Sequence, residues 1–260
     1  MPTWPNRPAE FYLAALSNPD PRMRRQACAA LEVMGDPRAI APLLTLLTSD
    51  EHEGVRANAA RALGTLGDGR APLLLALRDS SPNVRANAVM ALEKLGDRST
   101  VAALTPLLDD PDMTVRYHAT RVVGKFGGAD QVAPLMARLR EDSIASDPTL
   151  TFALAAIGQP ALDPLLEALR DERPAVRAKA AAALMSFNGR HVRDALTAAR
   201  QDPNPYARMQ VEGALEQIKT RRMLARVERL KAEGTLDQSN ILDFLAHRDE
   251  YLSDADGEEE

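Results

Sequence analysis

The sequence has few aromatic residues, a single cysteine and no long apolar run, and each shortage excludes a class of protein. Aromatic residues make up 4% of the 260 positions, which argues against a β-sandwich or barrel, whose strands favour aromatic and β-branched side chains. Cys28 alone excludes an intramolecular disulfide framework and a zinc site with several cysteine ligands. No apolar stretch approaches the ~20 residues of a membrane-spanning helix, and the first residues lack the pattern of a signal peptide. We therefore expect a reduced, cytoplasmic protein with no membrane contact.

Negative charge is concentrated at one end of the chain. The formal net charge is −5, and residues 249–260 contain seven acidic residues and no basic one. The rest of the chain therefore has 32 basic against 30 acidic residues. The composition of residues 253–260 predicts an acidic, disordered tail.

A pattern of about 31 residues repeats along the chain. The clearest copies are VRANAARALGTLGD from Val55, VRANAVMALEKLGD from Val84, VRYHATRVVGKFGG from Val115 and VRAKAAAALMSFNG from Val176. Looser copies begin at Met23 and Ala207, and a degenerate copy without Val-Arg lies at 143–158. We expect a longer loop or a shortened helix in that degenerate copy.

Each copy predicts two helices. A short, Leu-rich first helix ends at an Asp-Pro or Ser-Pro turn, because proline stops the preceding helix. An Ala-rich second helix begins near Val-Arg and ends at glycine, and the last one continues to about residue 233. A single pair cannot bury its apolar face alone, so the pairs must stack. We expect an all-α, right-handed α-solenoid of about seven helix pairs over residues 1–218, a helical cap over 219–252 and the tail over 253–260.

The run D-x5-R-x2-AA-x-ALG-x-LGD-x-RA-x2-PL identifies the type of repeat. It is carried by Asp50 and Arg56, by Ala59-Ala60, Ala62-Leu63-Gly64 and Leu66-Gly67-Asp68, and by Asp36, Arg38-Ala39 and Pro42-Leu43. This run resembles the short HEAT repeat of the phycobilisome-lyase type, over roughly residues 8–218. The resemblance implies a solenoid whose second helices line a concave surface. It leaves function open, since the family includes bilin-attachment proteins, adaptors and scaffolds.

The repeated arginine lies beside the core of each second helix. With this arginine at position 0 and 100° per residue, the apolar positions −1, +3, +7 and +10 form one face, and the arginine stands at its edge. An arginine so close to a core needs a partner, and an aspartate stands six residues before it in five copies. We predict a structural Asp–Arg ladder within or between repeats. Its members are Asp50, Arg56, Asp79, Arg85, Asp110, Arg116, Asp171, Arg177, Asp202 and Arg208.

Positions +2, +5 and +9 point away from the core. These 21 sites hold five basic residues and no acidic one, and position +2 is polar in every copy. The predicted binding surface comprises Gln26, Asn58, Arg61, Asn87, Lys94, Tyr117, His118, Arg121, Lys125, Phe152, Lys179 and Gln210. Asn and Gln amides suit an extended peptide backbone, whereas the bases suit phosphates.

The motifs of enzymes are missing from the sequence. There is no Walker A loop, no GxSxG and no metal-spaced Cys/His set, and the four histidines share no helical register. The HEAT-repeat hydroxylase of translation-factor lysine needs several His-Glu pairs for its two irons, whereas His52-Glu53 is a single pair. We expect no metal and no cofactor.

The favoured function is a non-catalytic scaffold that holds a protein or extended peptide in its groove. Binding of nucleic acid or another polyanion is the first alternative, and an accessory subunit or lyase-type enzyme is the second.

Overall fold

The computed structural model describes residues 5–141 and 148–234, and all regular elements in these ranges are helical. First helices alternate with second helices along the chain. The first helices are α1 (Ala9–Ala15), α3 (Ile40–Ser49), α5 (Arg70–Ala76), α7 (Val101–Leu104), α9 (Ala129–Glu141), α11 (Leu162–Ala168) and α13 (Arg190–Ala198). The second helices are α2 (Pro21–Met34), α4 (Glu53–Leu66), α6 (Pro82–Leu95), α8 (Met113–Phe126), α10 (Pro148–Ile157), α12 (Pro174–Leu184) and α14 (Pro205–Ala232). The prediction of an all-α repeat fold is confirmed.

The chain divides into two compact units, with the boundary inside α9. Unit 1 comprises residues 1–135 and unit 2 comprises residues 136–260. Helix α14 continues past the predicted end of the repeats at residue 218 and ends at Ala232, and Gly234 then adopts φ +73°. The part of the predicted cap beyond residue 234, the acidic tail, and residues 143–147 of the degenerate copy lie outside the described residues.

Local sequence signals set the ends of the second helices. In α2, Asp20 accepts a hydrogen bond from the amide of Arg22 at 2.8 Å, and Pro21 occupies the first helical position, where no amide donor is needed. Helices α2, α4 and α6 end at Gly35, Gly67 and Gly96. These glycines have φ of +66°, +79° and +68°, a left-handed conformation that lets the last carbonyls find donors.

Small side chains let the second helices of unit 1 pack side by side. Helix α4 packs between α2 and α6, and α6 packs against α8. At the contact of α4 with α6, a Cβ atom on Gly64 would lie 2.5 Å from the Cα atom of Ala91. In unit 2, α12 packs against both α10 and α14.

The leucine at position +7 is fully or almost fully buried in five copies. These are Leu31, Leu63, Leu92, Leu154 and Leu184.

The second helices differ in length. Helices α2, α4, α6 and α8 have 14 residues each, α12 has 11, and α10 in the degenerate copy has 10. Residues 142–147, which precede α10, lie outside the described range, so the longer loop or shortened helix expected in the degenerate copy stays a prediction.

At the N-terminus, α1 packs against α2 and buries Tyr12, which is 2% exposed. The Tyr12 hydroxyl donates to Oδ1 of Asn6 at 3.2 Å. Phe11 stacks edge-on to Tyr12 but remains 41% exposed. Tyr12 is therefore the aromatic residue that closes this end of the described core.

Candidate binding surface on the second helices

Four of the repeated arginines bind the aspartate of the following copy. In each case Nε and Nη2 of the guanidinium each bond one carboxylate oxygen, the two-pronged geometry that makes such pairs strong. The shortest distances are 2.7 Å for Arg24–Asp50, 2.8 Å for Arg56–Asp79, 2.7 Å for Arg85–Asp110 and 2.6 Å for Arg177–Asp202. The remaining Nη1 donates to the backbone carbonyl six residues earlier, as from Arg85 to Asp79 at 2.8 Å. One arginine therefore joins its own turn to the next repeat.

The aspartates have a second role, because they also order the turn in which they lie. Asp110 accepts a hydrogen bond from the amide of Asp112 at 2.9 Å, and Asp79 accepts one from the amide of Ser81 at 2.8 Å. Burial opposes the charged form of Asp110, but the bonds from Arg85 and the Asp112 amide, with the charge of Arg85, hold its pKa below the ordinary value. The carboxylate is therefore ionised at neutral pH.

The ladder is interrupted at the degenerate copy. Position 147, where the arginine would stand, is an aspartate. Asp171 instead binds Arg173, with Nε at 2.9 Å, and lies 3.6 Å from Nε of Arg140. Arg116 and Arg208 keep the backbone bonds, donating from Nη1 to the carbonyls of Asp110 at 2.8 Å and Asp202 at 2.6 Å. Arg177 donates from Nη1 to the backbone carbonyl of Asp171 at 2.8 Å, while its Nε and Nη2 bind the Asp202 carboxylate.

The exposed sides of α2, α4, α6 and α8, which we call the second-helix face, present a row of polar side chains at position +2. Gln26 is exposed, and Asn58 and Asn87 are half-buried. The Asn58 amide nitrogen donates to the Arg25 carbonyl of α2 at 3.2 Å, and that of Asn87 donates to the Asn83 carbonyl at 2.8 Å. Within the described residues, neither amide oxygen accepts a hydrogen bond. Each amide is thus held by its nitrogen and keeps its acceptor available.

The basic residues of this face are paired with two glutamates that the sequence analysis did not include. Arg61 binds Glu32 at 2.7 Å, and Lys94 lies 4.0 Å from the same carboxylate. Arg121 and Lys125 both bind Glu93. The glutamate side chains are only 15% and 11% exposed, whereas the four bases are 41–56% exposed. Positions +2, +5 and +9 contain no acidic residue, but these two glutamates lie beside the bases of the face, and the bases are the more exposed side chains.

Both glutamates occupy position +8, which a helical projection places on the flank of the helix. Successive copies in unit 1 have Glu32, Gly64, Glu93 and Gly124 at this position. Each of the first three meets the next second helix, either through ion pairs or, at Gly64, through the backbone contact with Ala91. The alternation of glutamate and glycine at position +8 is the sequence feature that indicates these contacts between helices.

Tyr117 and His118 lie together on α8, with ring centroids 5.2 Å apart. Tyr117 is 47% exposed, whereas His118 is half-buried and its Nδ1 has no hydrogen-bond partner among the described residues. Burial and the nearby charge of Arg121 lower the pKa of His118 below its ordinary value. The imidazole is therefore neutral at pH 7, and adds no charge to the face.

The corresponding face in unit 2 differs in character. Phe152 is 60% exposed, and Gln210 is half-buried. Lys179 is only 6% exposed, so the prediction that it belongs to an exposed binding surface is wrong. Lys179 lies on α12, which packs between α10 and α14.

Unit 2 also has a cavity of about 600 Å³ between α11 and α13. It is lined mainly by Leu166, Leu169, Ala195, Ala198 and Ala199, with Glu167, Arg170 and His191 as its polar side chains.

Across residues 5–141 and 148–234, no three or more His, Cys, Asp or Glu residues form a group that could hold a metal ion. In the same ranges no helix has both the length and the hydropathy to cross a membrane.

Two solved structures show the same fold. The complex of CpcE and CpcF of phycocyanin lyase from Nostoc sp. PCC7120 matches with 22% identity and a TM-score of 0.51, covering 83% of this chain and 96% of the other. YibA of Escherichia coli matches with 18% identity and a TM-score of 0.52, covering 91% of this chain and 90% of the other. No curated protein matches the sequence. At these identities the likeness concerns the fold.

A family model decides the classification. The model for HEAT repeats matches residues 9–75, 70–147 and 149–235. These ranges contain the seven second helices of the described residues and the four Asp–Arg pairs between successive copies. The chain belongs to the HEAT-repeat family.

Proposed function

We propose that this protein is a non-catalytic scaffold that binds an extended segment of a partner protein across the second-helix face of unit 1. The observation that carries the proposal is the row of +2 side chains on α2, α4, α6 and α8. Asn58 and Asn87 present amide oxygens that accept no hydrogen bond within the described residues. An extended peptide has unpaired backbone N–H groups that suit such acceptors.

The pairing of the bases favours a peptide over a polyanion. Four bases on the face would attract phosphates strongly, but Glu32 and Glu93 halve their net charge. Binding of nucleic acid depends on the number of phosphates neutralised. A face with a net charge of +2 from these six side chains is therefore better matched to a few carboxylates or to a peptide backbone.

The test begins with panning of a random dodecapeptide library on the full chain. We expect enrichment of a sequence whose affinity falls about 30-fold in the Asn58→Ala/Asn87→Ala variant, since each lost hydrogen bond contributes about 1 kcal/mol. The matched control is Gln159→Ala/Gln201→Ala, which removes two exposed amides in unit 2, and it should bind normally.

Duplex DNA and single-stranded RNA, measured at about 50 and 200 mM salt, serve as competing ligands. Nucleic-acid binding that falls steeply with salt, without any enriched peptide, would overturn the proposal in favour of polyanion binding. Equal loss in the test and control variants would show that the peptide binds elsewhere.

A further inference from the structure

The cluster around Glu32 joins three neighbouring helices of unit 1. Glu32 on α2 accepts hydrogen bonds from Arg61 Nε at 2.7 Å and from the Thr65 hydroxyl at 3.0 Å, both on α4. Lys94 on α6 donates to Thr65 Oγ1 at 2.8 Å. Lys94 therefore donates to Thr65, Thr65 donates to the carboxylate, and the carboxylate holds Arg61 through its Nε.

The outer edge of Arg61 remains available to a ligand. Its side chain is 41% exposed, and its two Nη atoms make no hydrogen bond within the described residues. The paired Nη edge of a guanidinium matches a carboxylate in a two-pronged geometry. Lys94 is 50% exposed beside it. Arg61, Lys94 and Glu32 together carry a charge of +1, so the charge of one further carboxylate is complementary.

The cluster around Glu93 is arranged differently. Arg121 directs both of its Nη atoms at the two oxygens of Glu93. Lys125 donates to the same carboxylate at 3.2 Å. The edge that Arg61 keeps free is thus already used in Arg121. This cluster supplies positive charge, whereas the Glu32 cluster supplies positive charge together with an open, oriented donor pair.

We infer that Arg61 and Lys94 form a subsite for an aspartate or glutamate side chain of the bound segment, and that Glu32 is the positioning residue of this subsite. The inference rests on the proposed function, because it assigns a chemistry to the segment that the second-helix face binds. Holding Arg61 in place before the ligand arrives removes part of the entropy that binding would otherwise lose. The partner segment is therefore acidic and extended.

The Glu32→Gln variant separates this inference from simple charge attraction, because the two predict opposite signs. The substitution keeps the side-chain volume and raises the net charge of the face by one. If the bases act only through their charge, affinity for an acidic peptide rises. If Glu32 positions Arg61, affinity falls, and we expect a loss of about tenfold, the scale of one charge-assisted hydrogen bond.

The probes are a peptide enriched by panning and its analogues in which each acidic residue is replaced by the corresponding amide. One Glu→Gln or Asp→Asn replacement should cost at least about tenfold in affinity for the native chain. The same replacement should cost nothing further in the Arg61→Ala chain, as in a double-mutant cycle.

Glu93→Gln is the matched control, because it removes a similarly buried carboxylate from the other cluster. The affinity of this variant for the acidic peptide should rise or stay unchanged. Circular dichroism melts verify that each variant is folded.

The outcomes distinguish the two proposals. Failure to enrich any peptide overturns the proposed function and this inference with it. Enriched peptides without acidic residues, or an acidic peptide that binds the Glu32→Gln chain more tightly, overturn the inference while leaving the proposed function standing. Loss of affinity in Glu32→Gln but not in Glu93→Gln supports the positioned subsite.

Discussion

Replacing Arg85 with alanine should destabilise unit 1 strongly, because it leaves a buried carboxylate without its partner. Arg85 is 12% exposed and Asp110 is 4% exposed, and the two are joined by bonds of 2.8 and 2.7 Å. Removing one member of such a pair costs about 3–5 kcal/mol. The backbone carbonyls of Asp79 and Ser80 also lose their donor. We therefore expect a decrease of about 4 kcal/mol in the free energy of unfolding.

Urea unfolding followed by circular dichroism measures this decrease, and a cycle with Asp110→Ala measures the coupling. The double variant should be less destabilised than the sum of the single variants by about 1–3 kcal/mol, since neither charge is then left alone. Arg38→Ala is the matched control. Arg38 binds Asp36 at 2.6 Å and Glu10 at 3.0 Å, but it is 56% exposed, so solvent screens its pairs and its loss should matter far less.

The comparison can refute the reasoning directly. If Arg85→Ala changes stability no more than Arg38→Ala does, burial does not decide the strength of the ladder. If the effects of Arg85→Ala and Asp110→Ala simply add, the two residues act independently, and the ladder does not connect the repeats energetically.

Three further predictions concern acid, packing and a thiol. Because the native pKa of Asp110 is lowered, its contribution is present above about pH 4 and is lost as the pH falls through its native value; the free energy of unfolding should therefore fall more steeply with acid in the native chain than in Asp110→Asn. Gly64→Ala should cost about 1–3 kcal/mol in urea unfolding, because its Cβ would meet Ala91. Gly213→Ala, which meets nothing within 4 Å inside α14, should be stabilising by up to about 1 kcal/mol. Burial raises the pKa of the Cys28 thiol to about 12, so it should react with a disulfide reagent only as fast as the chain unfolds; rapid reaction in the folded state would contradict this.

The features that depend on local spacing could be predicted from the sequence. The interval between Val-Arg pairs gave the helix pairs, and the glycines gave the ends of α2, α4 and α6. The helical projection placed Leu63 in the core and the arginine at its edge. It left open whether an arginine binds its own or the adjoining copy, because one helix in isolation does not specify its neighbour. The structure pairs Arg56 with Asp79 of the following copy.

The features that depend on contact between helices could not be derived in that way. Position +8 lies on the flank of the helix and was therefore left out of the exposed rows. A glutamate at this position binds a base on the next second helix, as Glu32 and Glu93 do. Such a contact depends on how neighbouring helices pack, which the projection of one helix does not show. Lys179 shows the converse, since its position points away from the core in the projection of its own helix and yet is only 6% exposed in the folded chain.

Arg61 on α4 and Lys125 on α8 bind the two glutamates at position +8, and they lie two second helices apart. At about 9 Å between packed helix axes, they are separated by about 18 Å, which an extended chain spans in five or six residues. A segment that engages both must place its carboxylates at that interval, and carboxylates two or three residues apart reach only one. Peptides with two glutamates separated by one to eight residues would measure this, and we expect the highest affinity at an interval of five or six. Equal affinity across the series would mean that the two clusters are not read together.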